Sequence, residues 1–142
     1  MEHLESYSQR RQENAANYDS LFADSGLDGL VTLPEKDSNC EHVWNQYTIR
    51  VNHPSLSRDD VRKELGELKV GSEIYYPVPL HQQECFKKLD YKAGDLPHTE
   101  AAAKSVLALP IFPELTLAEQ QYVVQSLCTV LQATTGTLRR AA

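Results

Sequence analysis

The chain has 142 residues, 41% of them hydrophobic and 24% charged, which is the composition of one globular domain able to bury its own core. Its net charge of −6 argues against a generic nucleic-acid or anionic-membrane surface, because binding such polyanions takes an excess of lysine and arginine. The three cysteines are scattered and odd in number, and no apolar run suits a signal peptide or a transmembrane helix. The sequence therefore predicts a cytoplasmic protein with reduced thiols.

A long helix is predicted at the start of the chain. Apolar and amphipathic residues recur there at three- and four-residue steps, and Ser25-Gly26 supplies a stop after about Asp24. A helix of about 24 residues is twice the average length, so it needs a surface to lie against. The stripe consists of Leu4, Tyr7, Arg11, Ala15, Tyr18 and Phe22.

Strands dominate the next third of the chain. Residues 27–41 are loop-like, although residues 30–33 could make a short strand, and a clear strand is predicted from His42 to Val51. Strict alternation places Tyr47, Ile49 and Val51 on the core face of the longer strand, with Val43 and Asn45 on the same side and Trp44 on the other. A further strand, Glu73 to Tyr76, is cut short by Pro77, which cannot donate to a ladder.

Helical signals follow both strand regions. Ser57 and Asp60 form a predicted capping box for a helix with Val61, Leu65 and Leu68 on its buried edge. A short helical pattern covers residues 83–89, and an alanine-rich helix is predicted for residues 98–107. Thr116 and Glu119 form a second capping box, opening a final helix that ends at residues 134–136. Its predicted buried stripe is Leu117, Val124, Leu127 and Leu131, with Tyr122 beside it.

These elements predict an α+β fold, a small antiparallel-rich sheet covered by helices. Arg50 and Arg58 are expected to be exposed charges. The chain has no glycine-rich phosphate loop, CxxC pair, HExxH or GxSxG motif. Cys40 with His42, or His81 with Cys85, could touch one metal ion, but neither pair has a third ligand at suitable spacing, so no metal site and no catalytic residue are predicted.

The segment from Ile74 to His81 is the densest candidate for binding. Tyr75 and Tyr76 are adjacent at a predicted strand end, and prolines on both sides of Val78 stiffen the segment that would present Tyr76 and His81 to a ligand. The alternative is a strand end and rigid turn packed on the core, with the tyrosine hydroxyls merely satisfied. A second candidate is the stretch Trp44-Asn45-Gln46-Tyr47, in which Asn45 either faces solvent or is held by a specific hydrogen bond near a ligand or an interface.

The order of segments resembles the C-terminal part of the DegT/DnrJ/StrS family of sugar aminotransferases that depend on pyridoxal phosphate. The resembling stretches are HVWNQYTIRV (42–51), RDDVRKEL (58–65), VGSEIYYPVPLH (70–81), LDYKAGDLP (89–97), residues 101–109 and PIFPELT (110–116). The resemblance covers residues 1–132 and implies the small-domain fold of fold-type I aminotransferases. On this basis residues 1–26 are a linking helix from a missing large domain, residues 27–134 a small domain, and residues 135–142 a frayed tail.

The resemblance also implies a function. The chain would be part of an enzyme that transfers an amino group from glutamate to a nucleotide-linked keto-sugar. The family works as a homodimer, so the full-length enzyme is expected to do the same. Tyr75, Tyr76 and His81 are then the substrate-binding residues. None of the seven lysines lies in the family's Schiff-base motif, so pyridoxal phosphate is expected in the full-length enzyme and not on this chain alone, which is predicted to be inactive by itself. A free-standing binding or regulatory module with the same fold is the alternative.

Overall fold

The computed structural model describes the backbone of residues 3–138 and the side chains of residues 3–132. Within that range the chain forms four α-helices and three strands, with 3₁₀ turns at Leu80–Gln82 and Glu84–Leu89. The α+β class predicted from the sequence is confirmed. In chain order the elements are α1 (Leu4–Ala23), β1 (Val31–Thr32), β2 (Tyr47–Val51), α2 (Arg58–Glu67), α3 (Pro97–Ser105), β3 (Val106–Leu109) and α4 (Leu117–Leu138).

The strands of the described residues form one antiparallel sheet in the order β1-β2-β3. Tyr47 lies opposite Leu109 and Ile49 opposite Leu107, while Val51 at the far end of β2 lies opposite Val31. Tyr47, Ile49 and Val51 are all buried, which confirms the core face predicted from their alternation.

The strand β3 was not predicted, because the expected helix over residues 98–107 runs through its first half. The helix α3 instead ends at Ser105, and the chain turns directly into β3. Leu107, Ala108 and Leu109 are buried, and their backbone groups pair with β2 on one side and with Glu73 on the other. Burial and pairing with distant segments therefore override the local helix preference of the alanine run.

The predicted strand over residues 42–51 is too long at its start. Trp44 adopts φ 50, a left-handed conformation that bulky residues rarely take, and this breaks the alternation before Tyr47. As a result the faces are reversed: Trp44 is buried, whereas Val43 and Asn45 are exposed. The Trp44 ring packs against His42 and Tyr47, with centroids 4.2 Å and 5.6 Å away.

The predicted strand over residues 73–76 is also wrong. Only Glu73 pairs, through two backbone hydrogen bonds with Ala108, and the chain then leaves the sheet through a cis peptide bond between Tyr75 and Tyr76. The helical pattern expected over residues 83–89 is a 3₁₀ turn. The segment that follows Glu73 is therefore a loop beside the sheet, and the backbone of Glu73 joins it to β3.

Helix α1 buries only the C-terminal half of its predicted stripe. Ala15, Tyr18 and Phe22 are in the core, whereas Leu4 and Tyr7 are exposed. The Tyr18 hydroxyl donates to the carbonyl oxygen of Pro110 at 2.9 Å, and burial raises the pKa of Tyr18. The helix ends at Ala23, and Gly26 adopts φ 69 in the turn that follows.

Both predicted capping boxes are confirmed. The Ser57 hydroxyl accepts from the backbone N–H of Asp60, whose carboxylate accepts from the Ser57 N–H, and Thr116 and Glu119 exchange the same bonds. Arg58, expected to be exposed, is instead buried, because its guanidinium donates to the Val106 carbonyl oxygen at 2.9 Å and to Asp59 at 2.8 Å.

Helix α4 packs on α1 and α2. Val124, Leu127 and Leu131 are buried as predicted, but Leu117 and Tyr122 are exposed. The helix continues through residues 134–136 to Leu138, so the predicted break there is wrong. Residues 139–142, the rest of the predicted frayed tail, lie outside the described residues. None of the helices in the described part of the chain combines the length and apolar character that crossing a bilayer demands.

The contact between Tyr18 and Pro110 gives a stability test. Replacing Tyr18 by Phe keeps the ring in the core and leaves the Pro110 carbonyl oxygen without its donor, so we expect the free energy of unfolding in urea to fall by about 1–3 kcal/mol. Tyr7→Phe, on the exposed half of the same helix, is the matched control and should change it by less than about 0.5 kcal/mol. Equal losses in both variants would contradict the proposed role of this bond.

Candidate functional site

A cleft of about 310 Å³ lies at the end of the sheet where β2 begins and β3 ends. Asn45 and Gln46 form one wall, just before β2, and the floor is the backbone and side chains of residues 108–111. The opposite wall is the segment from Gly71 to Glu73 together with Tyr75. The pairing of β2 with β3, and of Glu73 with Ala108, therefore places three chain segments around one opening.

Tyr75 is the sequence-predicted site residue that lines the cleft. Its side chain is 49% exposed, and Tyr76 beside it is 59% exposed, so neither ring enters the core. The two rings meet edge to face, with centroids 6.1 Å apart. Both tyrosine side chains are therefore exposed, and whether either binds a ligand stays a prediction.

His81 lies in a different environment from the two tyrosines. Its side chain is buried, its Nε2 atom lies 3.1 Å from a carboxylate oxygen of Glu100, and its ring contacts Tyr91 edge to face. The same Glu100 oxygen accepts the backbone N–H of Gly94 at 2.7 Å. This cluster of His81, Tyr91, Gly94 and Glu100, which we call the loop clasp, ties the segment over residues 80–96 to helix α3.

The electrostatics of the loop clasp favour an ionised Glu100. The backbone N–H of Gly94, with the His81 ring as a further donor, lowers the pKa of the Glu100 carboxyl below its usual 4.5. The other ring nitrogen of His81, Nδ1, is buried without a partner among the described residues.

Asn45 is both exposed and held by a specific hydrogen bond, so the two alternatives for this residue hold together. Its Oδ1 atom accepts from Nη1 of Arg11 on α1 at 3.1 Å. The strand alternation, which put Asn45 on the core side, is wrong here, because the left-handed backbone at Trp44 turns Asn45 outward. The sequence gives no sign of Arg11 as its partner.

The remaining charges around the cleft come from Glu73. Its carboxylate accepts two hydrogen bonds from Arg62, at 3.2 Å and 3.1 Å, and it is exposed at the cleft wall. The hydroxyl oxygen of Ser72, in the same wall, is buried without a partner among the described residues. The cleft therefore presents amides, a carboxylate and a phenol, which can form hydrogen bonds with a ligand rich in hydroxyl groups.

The described residues contain neither a cluster of metal ligands nor a buried lysine. Among the described residues no group of three or more His, Cys, Asp or Glu side chains could hold a metal ion. A lysine that forms a Schiff base near neutral pH has to be desolvated or placed beside other cations, whereas the lysines of this chain are exposed. They are Lys36, Lys63, Lys69, Lys87, Lys88, Lys92 and Lys104.

The loop clasp makes a prediction about acid stability. Because the pKa of Glu100 is lowered by folding, the stability that its carboxylate contributes is present above about pH 4.5 and is lost as the pH falls through the lower folded value. We therefore expect the free energy of unfolding to decline less steeply between about pH 5 and pH 3 in Glu100→Gln than in the wild type. Parallel declines in urea titrations across this range would contradict the assignment, and Glu114→Gln on an exposed turn is the control.

Comparison with known proteins gives a match along nearly the whole chain. Residues 1–128 match the model of the DegT/DnrJ/EryC1/StrS aminotransferase family. A pleiotropic regulatory protein of Geobacillus stearothermophilus is 42% identical over 125 residues, which are 88% of this chain and 32% of the relative. A UDP-N-acetyl-3-dehydro-alpha-D-glucosamine 3-aminotransferase of Acidithiobacillus ferrooxidans is 36% identical over 132 residues, covering 93% of this chain and 32% of the relative.

Solved structures show the same relationship. The crystal structure of DesV from S. venezuelae, in complex with a ketimine intermediate, superimposes with a TM-score of 0.79 at 32% identity, over 89% of this chain and 32% of that one. The chain thus spans about a third of the length of the curated relatives it matches.

Proposed function

The chain belongs to the DegT/DnrJ/EryC1/StrS aminotransferase family, and on this premise we propose that it is the small-domain part of an enzyme that aminates a nucleotide-linked keto-sugar using pyridoxal phosphate. The observation that carries the proposal is the match of residues 1–128 to the family. The cleft at the end of the sheet, whose polar groups can hydrogen-bond the hydroxyl groups of a sugar, supports it. The relative from Acidithiobacillus ferrooxidans, named for a UDP-linked keto-sugar, supports this substrate class. Glutamate as amino donor is proposed on the family resemblance.

The cofactor would be held outside this chain. Its seven lysines are exposed, so none fits the desolvated site that a Schiff base requires. We derive no step of the transfer through the cofactor, and assign to this chain the binding and orientation of the sugar. A large domain, and a second copy of the enzyme in a homodimer, are the proposed partners.

Tyr75 and Tyr76 are the proposed substrate contacts. The Tyr75 phenol lines the cleft, where its hydroxyl can donate to a sugar oxygen and its ring can cover the apolar face of the sugar. Tyr76 extends the same aromatic edge outward. His81 is proposed as a substrate residue on the family resemblance alone; its side chain is buried, and its Nε2 atom is engaged by Glu100. The three unpaired cysteines, all in the described range, agree with a cytoplasmic location.

An exchange experiment tests the proposed function. The 132-residue matching segment of the Acidithiobacillus ferrooxidans enzyme is replaced by this chain, and transfer of the amino group to the keto-sugar nucleotide is measured. We expect the chimera to be active, and Tyr75→Phe to raise KM by roughly threefold to tenfold with little change in kcat, because one hydrogen bond to the bound sugar is lost. Tyr7→Phe, on exposed α1, is the control. A folded chimera without activity, or with Tyr75→Phe unchanged, would count against the proposal.

The absence of a Schiff-base lysine has its own test. The isolated chain is incubated with pyridoxal phosphate, reduced with borohydride and mapped by mass spectrometry. We expect only scattered, substoichiometric labelling, because all seven lysines are exposed and none is set apart by burial. Stoichiometric labelling of one lysine would overturn the conclusion that this chain does not hold the cofactor.

A free-standing regulatory module is the second candidate function. It is favoured by one observation, the name of the Geobacillus stearothermophilus relative, a pleiotropic regulatory protein. The two functions differ in what α1 contacts. The exposed Leu4 and Tyr7 would be covered by a large domain in an enzyme, and would face solvent in a module. A stable monomer in light scattering, with a reading frame lacking any large domain, would favour the module.

A further inference from the structure

Asn45, in the wall of the cleft, has side-chain N–H donors without a partner among the residues whose side chains are described. Arg11 donates to its Oδ1 atom, and since an arginine offers only donors, the oxygen must face Arg11 and the NH₂ group must face away from it. Asn45 lines the cleft, and its NH₂ group donates to no residue in the part of the chain whose side chains are described. The amide is thus fixed in orientation and left with unused donors.

The backbone supports this presentation of the amide. Trp44, immediately before Asn45, is held in its left-handed conformation by burial of the indole and by a hydrogen bond from its N–H to Nδ1 of His42 at 3.0 Å. A strained residue of this kind persists only where its surroundings fix it. Its consequence here is that Asn45 points to the cleft and not to the core.

Glu73 and Asn45, in opposite walls, set which groups of a ligand the cleft can bind. The Glu73 carboxylate is paired with Arg62 and can still accept a hydrogen bond from a hydroxyl group. The Asn45 amide donates, so it needs an acceptor oxygen. A sugar offers both, because its hydroxyl groups donate and accept and its ring and acyl oxygens accept.

We propose that Asn45 is a substrate-binding residue that donates its side-chain N–H to a neutral oxygen of the sugar, and that Arg11 is the positioning residue that fixes the amide. This inference rests on the proposed function for the substrate class, and adds to it which part of the substrate occupies the cleft.

The test uses the full chain and two probes, UDP-N-acetylglucosamine and UDP. Each is titrated to about 10 mM into isotope-labelled protein, a range that detects millimolar affinity, while the side-chain NH₂ signals of Asn45 are followed by NMR. The signals should shift and saturate with the sugar nucleotide and stay in place with UDP. No shift at Asn45, or an equal shift with UDP, overturns the proposal.

Variants separate the donor from the positioning residue. Asn45→Asp keeps an oxygen for Arg11 but removes the donor, so affinity for UDP-N-acetylglucosamine, followed at the Tyr75 signals, should fall roughly threefold to tenfold. Arg11→Gln should weaken binding and broaden the Asn45 NH₂ signals, since the amide is released, whereas Arg10→Gln, on an exposed neighbour, should do neither. Unchanged affinity in Asn45→Asp contradicts the role.

The outcome is separable from that of the proposed function. Asn45 is exposed, so its variants should keep the spectrum of the folded chain, and a loss of affinity is then a loss of a contact. Amino transfer by the chimera tests the reaction, whereas the shift at Asn45 tests only which atoms meet the sugar. An active chimera with an unperturbed Asn45 would leave the function standing and remove this inference.

Discussion

The pairing of β2 with β3 holds both the core and the cleft in place. Tyr47 lies opposite Leu109, so the residues that precede β2 and those that follow β3 emerge at the same end of the sheet. One pair of strands therefore fixes the distance between the amide wall at Asn45 and the floor at Pro110. Tyr18 then bonds the carbonyl oxygen of Pro110, which ties helix α1 to this same end.

Helix α1 contacts both the core and the residues that line the cleft. Its buried half supplies Tyr18, which packs with Tyr47 at 4.9 Å between ring centroids and completes the aromatic part of the core. One or two turns earlier, Arg11 reaches the loop before β2. One helix thus contacts both the core and the cleft wall, whereas Leu4 and Tyr7 in its first turns are exposed.

Local signals were readable from the sequence, and contacts between distant segments were not. Both capping boxes form within four residues, and the alternation of Tyr47, Ile49 and Val51 is a property of one short strand, so these predictions are confirmed. The strand β3 exists only because β2 and Glu73 pair with it, and an alanine-rich run gives no sign of either.

In the candidate site too, local features could be predicted from the sequence, whereas contacts between distant segments could not. Tyr75 and Tyr76 stand out because adjacent tyrosines beside prolines are conspicuous, and both are accessible. The orientation of Asn45 depends on the left-handed backbone at Trp44 and on Arg11, which is 34 residues away in the chain. Burial of Arg58 and His81 depends in the same way on a carbonyl oxygen and a carboxylate that lie far along the sequence.

Trp44 is the one tryptophan of the chain, and it stands next to Asn45 in contact with His42 and Tyr47. Trp44 is buried in the aromatic core, and Asn45, the next residue, lines the cleft. Intrinsic indole fluorescence therefore reports on the part of the core that adjoins the cleft wall. The loop over residues 77–96 contains no tryptophan and contributes no indole emission of its own.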